Sequence, residues 1–312
     1  MELVDPWHRR IRKLRVSLTD RCNLRCRYCM PLHPDFMNKS YYLKTHEYAE
    51  IIQELLTYGI EEIRITGGEP LVRPEFPEIM LELHKLKIPC LSLTTNGALL
   101  QDHWEILKAC NIKKINISLD SLEAETFTAI THWKYLSTIL DNISQAVTQG
   151  FEIKINMVIM RGINDHELFD FVEYARKSSI AVRFLELMRI GYANELYQNH
   201  FISAEECIIK LKTRYRMNKI NVESDSTAFY FMIDDEIKVG FIASESQPFC
   251  NHCSRWRLSA DGRLFACLFA ETGIPIRNVS SEQRNHVYQQ LLGMKPIQRF
   301  DQVKHPMYQI GG

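Results

Sequence analysis

Between residues 12 and 188 the chain alternates short β-branched runs with segments of helical period, and this alternation restricts the fold more than any other feature. The runs "LRVSL" (14–18), "IRIT" (63–66), "CLSLTT" (90–95), "INISL" (115–119), "IKINMVI" (153–159) and "VRFLEL" (182–187) read as strands. Between them Thr45, Ser121, Ser137 and Asn164 stand as start signals ahead of segments with helical periodicity. Repeated βα units require right-handed crossovers and a mainly parallel sheet. Six strands fall two short of a closed eightfold barrel, so an open barrel and a doubly wound sheet both fit the pattern. From about residue 190 the regularity breaks down and a hairpin signal appears, "WRLSADGRLFACL", with Asp261 and Gly262 as its turn. A boundary there divides the chain into residues 1–190 and 191–312.

The polar and glycine-rich words follow strands: "TDRC" the first, "TGGEP" the second, "TTNG" the third, and "SLD" closes the fourth. Parallel αβ sheets bind ligands at the carboxyl ends of their strands, so these four motifs converge on one face. With 312 residues, 46% of them hydrophobic, the chain can bury a full core around that face. Its 38 basic and 38 acidic residues balance, which argues against a nucleic-acid coat or a membrane surface and leaves any anion site local. The opening "MELVDPWHRRIRKLR" has no apolar h-region after it, and no run approaches a membrane span. Nine cysteines, odd in number and clustered, fit reduced thiols held for metal ligation in the cytoplasm, with an organelle matrix as the alternative.

Cys22, Cys26 and Cys29 form CxxxCxxC on the loop leaving the first strand. Structural zinc takes four closed ligands, and the nearest spare donor, His33, lies beyond Pro31. Zinc and simple burial remain alternatives for the trio, but three thiolates also suit an iron–sulfur cluster with one iron left open. With Tyr28 just before the last cysteine, the stretch resembles the radical S-adenosylmethionine (SAM) superfamily. "TGGEP", with Gly67, Gly68, Glu69 and Pro70, resembles its methionine-binding loop. That resemblance implies a partial (βα)6 open barrel and a cluster whose free iron chelates the methionine end of SAM. One electron from the cluster then cleaves SAM to a 5′-deoxyadenosyl radical.

A second trio, Cys250, Cys253 and Cys267, is a CxxC pair plus one cysteine across the hairpin. Zinc with His252 is the alternative, although a ligand between the paired cysteines is poorly aimed for tetrahedral closure. Arg255 and Arg257, two apart on one strand, point to one face, and their guanidinium forks suit phosphate. Cys90, Cys110 and Cys207 lie in apolar patterns and read as buried small hydrophobes.

With these words, "RFLELM", "GFIASESQPFC" and the terminal "IGG", the chain resembles over nearly its whole length the MoaA-type GTP 3′,8-cyclases of molybdenum cofactor biosynthesis. The resemblance implies two [4Fe–4S] clusters, the second in a smaller C-terminal α+β domain that closes the barrel mouth and holds guanine on its open iron. It assigns SAM contacts to Tyr28, Gly68, Ser118 and Met188. Nucleotide contacts fall on Arg15, Arg64, Thr94, Lys154, Arg255 and Arg257, and Arg15, Arg255, Arg257, Gly311 and Gly312 stand nearest the chemistry. The implied reaction abstracts hydrogen from the ribose C3′ of GTP and joins that carbon to C8 of guanine. An electron donor and a cyclic pyranopterin synthase that takes the product are implied as partners, with monomer and homodimer both open. Two departures stand out: Arg189 where the family commonly has an acidic residue, and "THWKYL" in place of a glycine-containing turn, read as a surface connection with little bearing on the chemistry. The competing readings are a radical SAM enzyme acting on a peptide, which needs more than the four cysteines after residue 190, and a zinc-stabilised binding module.

Overall fold

The computed structural model describes residues 2–299 and 301–311. Six parallel strands run in chain order across the middle of one sheet: β1 (Lys13–Ser17), β2 (Glu62–Thr66), β3 (Cys90–Thr95), β4 (Lys114–Ser118), β5 (Glu152–Ile159) and β6 (Ala181–Glu186). They match the six strands expected from the sequence to within a residue or two. Helices cross between them: α1 (Thr45–Thr57), α2 (Phe76–Lys85), α3 (Trp104–Ala109), α4 (Ala124–Thr131), α5 (Leu136–Thr148) and α6 (Leu168–Ser178). Helix α2 shows why they pack outside the sheet: Phe76, Ile79, Met80 and Leu83 are buried at i, i+3, i+4 and i+7, one apolar stripe on an otherwise wetter helix. Strand β5 alternates strictly, with Ile153, Ile155, Met157 and Ile159 buried towards the helices. Lys154, Asn156 and Val158 therefore face the other side, the barrel lumen.

The remaining strands extend this sheet from both edges. After α7 (Ala193–His200) and α8 (Ala204–Lys212), β7 (Met217–Ile220), β8 (Phe229–Ile233) and β9 (Ile237–Ile242) form an antiparallel meander, and β9 pairs parallel with β6. At the other edge β10 (Arg255–Leu258) pairs parallel with β1 and continues through β11 (Arg263–Phe265) and β12 (Ile274–Pro275). The antiparallel β10–β11 pair is the hairpin expected at Asp261 and Gly262. Two strands from the C-terminal region thus bring the parallel set to eight, which the six-strand count from sequence did not foresee.

The last helix, α9 (Ser281–Met294), starts at Ser280, whose hydroxyl accepts from Gln283 N in a capping box. It is fixed to α1 by Arg284, which binds Glu54 at 2.9 Å and also pairs with Glu50. Tyr288 sits between Tyr58 and the fully buried Trp256 of β10. This packing determines where the chain emerges from α9, at Lys295.

Candidate functional site

The strand ends, the two cysteine-bearing loops and the C-terminal segment enclose one cavity. Its wall includes both trios, Cys22, Cys26 and Cys29, and Cys250, Cys253 and Cys267. Of the other residues expected at the site, Arg15, Tyr28, Arg64, Gly68, Thr94, Ser118, Met188, Arg255 and Arg257 also line it. Lys154 does not: it lines a second cavity at the amino end of the strands, where it pairs with Glu152 at 2.6 Å. The two cavities share Arg15, Arg64, Arg183 and Arg255 as wall residues, so Lys154 stands at the far end of the same cationic lumen. Gly312 lies outside the described residues.

The first loop is held from three sides. On the β2 side, Gly68 N donates to Thr19 O at 2.6 Å and Glu69 N to Arg21 O at 2.8 Å. A Cβ at Gly68 would come within 2.6 Å of Asp20 O, so only glycine permits this approach. Pro70 opens a single 3-10 turn capped by the Glu69 side chain, and the described chain contains no cis peptide. On the α4 side, Arg25 N and Arg27 N donate to Thr131 O and Ile130 O at 2.8 and 3.0 Å. The "THWKYL" connection is exposed at His132, Lys134 and Tyr135, but its first residue, Thr131, the end of α4, bears on the site: it anchors the cysteine loop and lines the cavity. His132, in a left-handed conformation at φ 54°, makes the turn expected of glycine. On the β4 side, Tyr28 donates its hydroxyl to Asp120 at 2.6 Å, and Asp120 also accepts from Val158 N at 2.8 Å.

Glu69, almost fully buried, organises the next strand end. It accepts from Leu71 N at 3.0 Å, Thr95 Oγ1 at 2.8 Å and Asn96 N at 2.6 Å. Burial raises its carboxyl to about 7 against the pull of these three donors. An amide in its place would point NH2 at one of the donors, so Glu69→Gln is expected to cost about 1–3 kcal/mol. A lower thermal midpoint at neutral pH would register that loss; an unchanged midpoint would show the three bonds to be dispensable.

The thiols distinguish zinc from a larger cluster. Sulfurs on one tetrahedral zinc lie about 3.8 Å apart, given a Zn–S bond of about 2.3 Å. Among the described residues, the one group of three candidate ligands whose atoms all fall within 4.8 Å of one another is Glu123, His166 and Glu167. Neither cysteine trio falls within that limit among the described residues. His33 and His252 are exposed and absent from the cavity wall, so neither closes a fourth position. Cys110 and Cys207 are buried, as their apolar contexts suggested, whereas Cys90 is half-buried and lines the second cavity; none of the three lines the first.

Burial raises five of the six thiols, Cys250 and Cys267 included, and Cys253 is the exception. Burial, with Glu69, pushes Cys22 up to about 12; burial, with Cys22, does the same to Cys29; burial and Asp120 raise Cys26 as well. These thiols ionise at neutral pH when a metal takes the charge. At Cys253 burial acts upward too, but Lys295 and Arg255 outweigh it and bring the thiol down to about 6.

A ladder of arginines lines the same cavity as both trios. Arg257 of β10, Arg15 of β1 and Arg64 of β2 are register partners on neighbouring strands. Arg64 is offset by Glu62 at 3.0 Å, whereas burial lowers Arg15 together with the charges of Arg257, Arg64, Arg255 and Arg183. Burial and Arg255 likewise bring Arg257 down to about 10 against the pull of Cys267. Arg255 leaves its buried Nη2 without a partner. Like charges stacked in register repel, so the ladder favours an anion with several oxygens.

The tail enters from the C-terminal side. Arg257 Nη1 donates to the carbonyl of Gly311, whose φ is 74°, and a Cβ there would meet Thr66 Oγ1 at 2.6 Å and Ser17 Cβ at 2.9 Å. Gly311 thus rests on the carboxyl ends of β1 and β2. Arg189 turns away from the cavity: its Nε binds the buried Glu245 at 3.2 Å and its guanidinium lies 5.0 Å from the Tyr197 ring centre. Asn96, Asp120, Arg183 and Lys295 were not picked out from sequence as site residues. For Asn96 and Asp120 the signal was present, since both sit in the polar words that follow strands.

The sequence profile described as the radical SAM superfamily matches residues 16–175, and the one described as Molybdenum Cofactor Synthesis C matches residues 180–302. A GTP 3′,8-cyclase of Synechocystis sp. is 55% identical over 99% of this chain and 95% of its own length. One from Aquifex aeolicus is 35% identical over 90% of this chain and 89% of its own. Among solved structures, Streptococcus suis SuiB bound to S-adenosylmethionine superposes with a TM-score of 0.64 at 14% identity, covering 90% of this chain and 68% of that one, a likeness of fold.

Proposed function

Because the chain belongs to the GTP 3′,8-cyclase family of the radical SAM superfamily, we propose a specific division of the reaction among its residues. The enzyme converts GTP to 3′,8-cyclo-7,8-dihydro-GTP, the first step of molybdenum cofactor biosynthesis, with two [4Fe–4S] clusters and SAM as cofactors. When bound, the clusters and SAM supply the electron and the 5′-deoxyadenosyl radical for hydrogen abstraction.

Cys22, Cys26 and Cys29 hold the cluster next to SAM, and Cys250, Cys253 and Cys267 hold the one next to GTP. The loop at Gly68 and Glu69 receives the methionine end of SAM, with Tyr28, Ser118 and Met188 as further contacts. Arg15, Arg64, Arg255 and Arg257 bind the polyphosphate, Lys154 extends that charge down the lumen, and Thr94 contributes a hydroxyl. The observation that carries this reading is the Arg257–Arg15–Arg64 ladder, lying in one cavity with both thiol trios. The ladder would neutralise phosphate within the cavity that both trios line. Residues 1–190 then supply the radical-generating half and 191–312 the substrate half. The product passes to a cyclic pyranopterin synthase, electrons come from a low-potential donor, and the enzyme works in the cytoplasm; no helix is long and apolar enough to cross a membrane among the described residues.

The test is anaerobic reconstitution with iron and sulfide, followed by dithionite, SAM and GTP. Mass spectrometry is expected to find 5′-deoxyadenosine together with a cyclised guanosine nucleotide. 5′-Deoxyadenosine without that nucleotide would point to another substrate, and neither product would end the reading. The tail provides a finer test. Gly311→Ala forces a left-handed alanine into a filled site, a strain of about 1–2 kcal/mol before any clash. Cyclised product is expected to fall by roughly tenfold or more, with SAM cleavage in the absence of GTP unchanged. Equal loss of both would remove the tail from the substrate side.

A further inference from the structure

Lys295 is 2% exposed at the end of α9, and its ammonium group has three acceptors: Arg255 O at 2.8 Å, Ala266 O at 3.0 Å and Cys253 Sγ at 3.4 Å. An ammonium has three N–H donors, so all are used. None of these acceptors is a carboxylate. A buried cation without a counter-charge is strongly unfavourable, so the charge must be answered nearby. The groups facing it are the second thiol trio, on all three members of which its positive charge acts.

A second buried cation meets the same chain from behind and makes the contrast clear. Arg9 donates to Cys250 O at 2.6 Å, Pro296 O at 2.9 Å and Lys295 O at 3.1 Å. Arg9 has its own counter-ion, the buried Asp5, at 2.6 Å. One cation is neutralised within the protein; the other has its charge directed at sulfur. Lys295 also joins the two backbones that carry ligands, bonding Arg255 two residues after Cys253 and Ala266 one residue before Cys267.

Resting on the two-cluster reading, we infer that Lys295 is the positioning residue of the second cluster, holding Cys253 and Cys267 in register and favouring the cluster's reduced state through an N–H···S bond and a positive charge that no carboxylate offsets. Reduction adds negative charge to the cluster, so a fixed cation beside its thiolate stabilises the reduced form more than the oxidised one. Arg9 and Asp5 keep the lysine's backbone in place and contribute no net charge.

The experiment is a redox titration of the reconstituted holoenzyme against low-potential one-electron reductants, followed by electron paramagnetic resonance. The second cluster is identified as the signal that GTP perturbs, the first as the signal that SAM perturbs. Lys295→Met keeps the length and removes the charge. It is expected to lower the reduced-to-oxidised ratio of the GTP-sensitive signal by about tenfold at fixed potential, about 59 mV for a one-electron couple. The SAM-sensitive signal should not move, and Lys295→Arg should recover most of the shift. An unchanged ratio in Lys295→Met would overturn the inference. If Lys295→Met assembles the first cluster but not the second, Lys295→Arg decides: recovered assembly supports the charge role, and equal failure reduces Lys295 to packing. A wild-type enzyme with no GTP-sensitive signal would instead remove the two-cluster reading beneath it.

Discussion

Replacing one cysteine in each trio by alanine is expected to separate the reaction into halves. Cys26→Ala should lose the first cluster and with it all 5′-deoxyadenosine. Cys253→Ala should lose the second cluster and all cyclised nucleotide, while SAM is still cleaved without coupling. Iron should fall from about eight to about four per chain in either variant, so iron content tells which clusters remain and product analysis tells what each does. The separation is expected because the loops have independent supports: one is bonded to "TGGEP", α4 and Asp120, the other to Arg9 and Lys295. If both variants lose both clusters, the two sites assemble as one unit and the division of roles fails.

Arg257→Ala is expected to weaken GTP binding by about 10- to 150-fold, the loss of one charge-assisted interaction of about 1.5–3 kcal/mol. SAM cleavage without GTP should be largely unaffected. Arg257→Lys should fall between, keeping the charge but not the planar fork that reaches phosphate and Gly311 O together. Isothermal titration under anaerobic conditions measures the affinity. A binding constant within threefold of wild type would show that the ladder answers some other charge. The variant also relieves repulsion on Arg15, so the observed loss is a lower bound on the contact itself.

The outcome at Arg257 also shows where reading the chain succeeds and where it stops. The pair Arg255 and Arg257 was legible because two residues apart on a strand means one face, a local rule. That Arg257 stands beside Arg15 was not, because the β1–β10 register joins residues some 240 apart through a four-residue strand with no signal of its partner. The cysteine trios and the strand-end words were legible because their spacing or position carries the chemistry. Lys295 was hidden for the opposite reason. A lone lysine at the end of a helix is ordinarily a solvated residue, and here its burial comes with bonds to Arg255 O, Ala266 O and Cys253 Sγ, residues distant in sequence. Thr131 was misjudged because an unusual turn suggested a dispensable one, whereas its carbonyl holds the cysteine loop.

The addition of β9 to one border of the six-stranded core and β10 to the other has a consequence for how the chain is made. While the ribosome is still producing the last third, both flanks of the nascent sheet present unpaired amides and carbonyls, the state most prone to stick to another copy. Closure of both borders must await sequence emerging late in synthesis, so this protein is expected to need chaperone protection during translation, and a truncated product ending near residue 190 should precipitate instead of folding as a smaller enzyme.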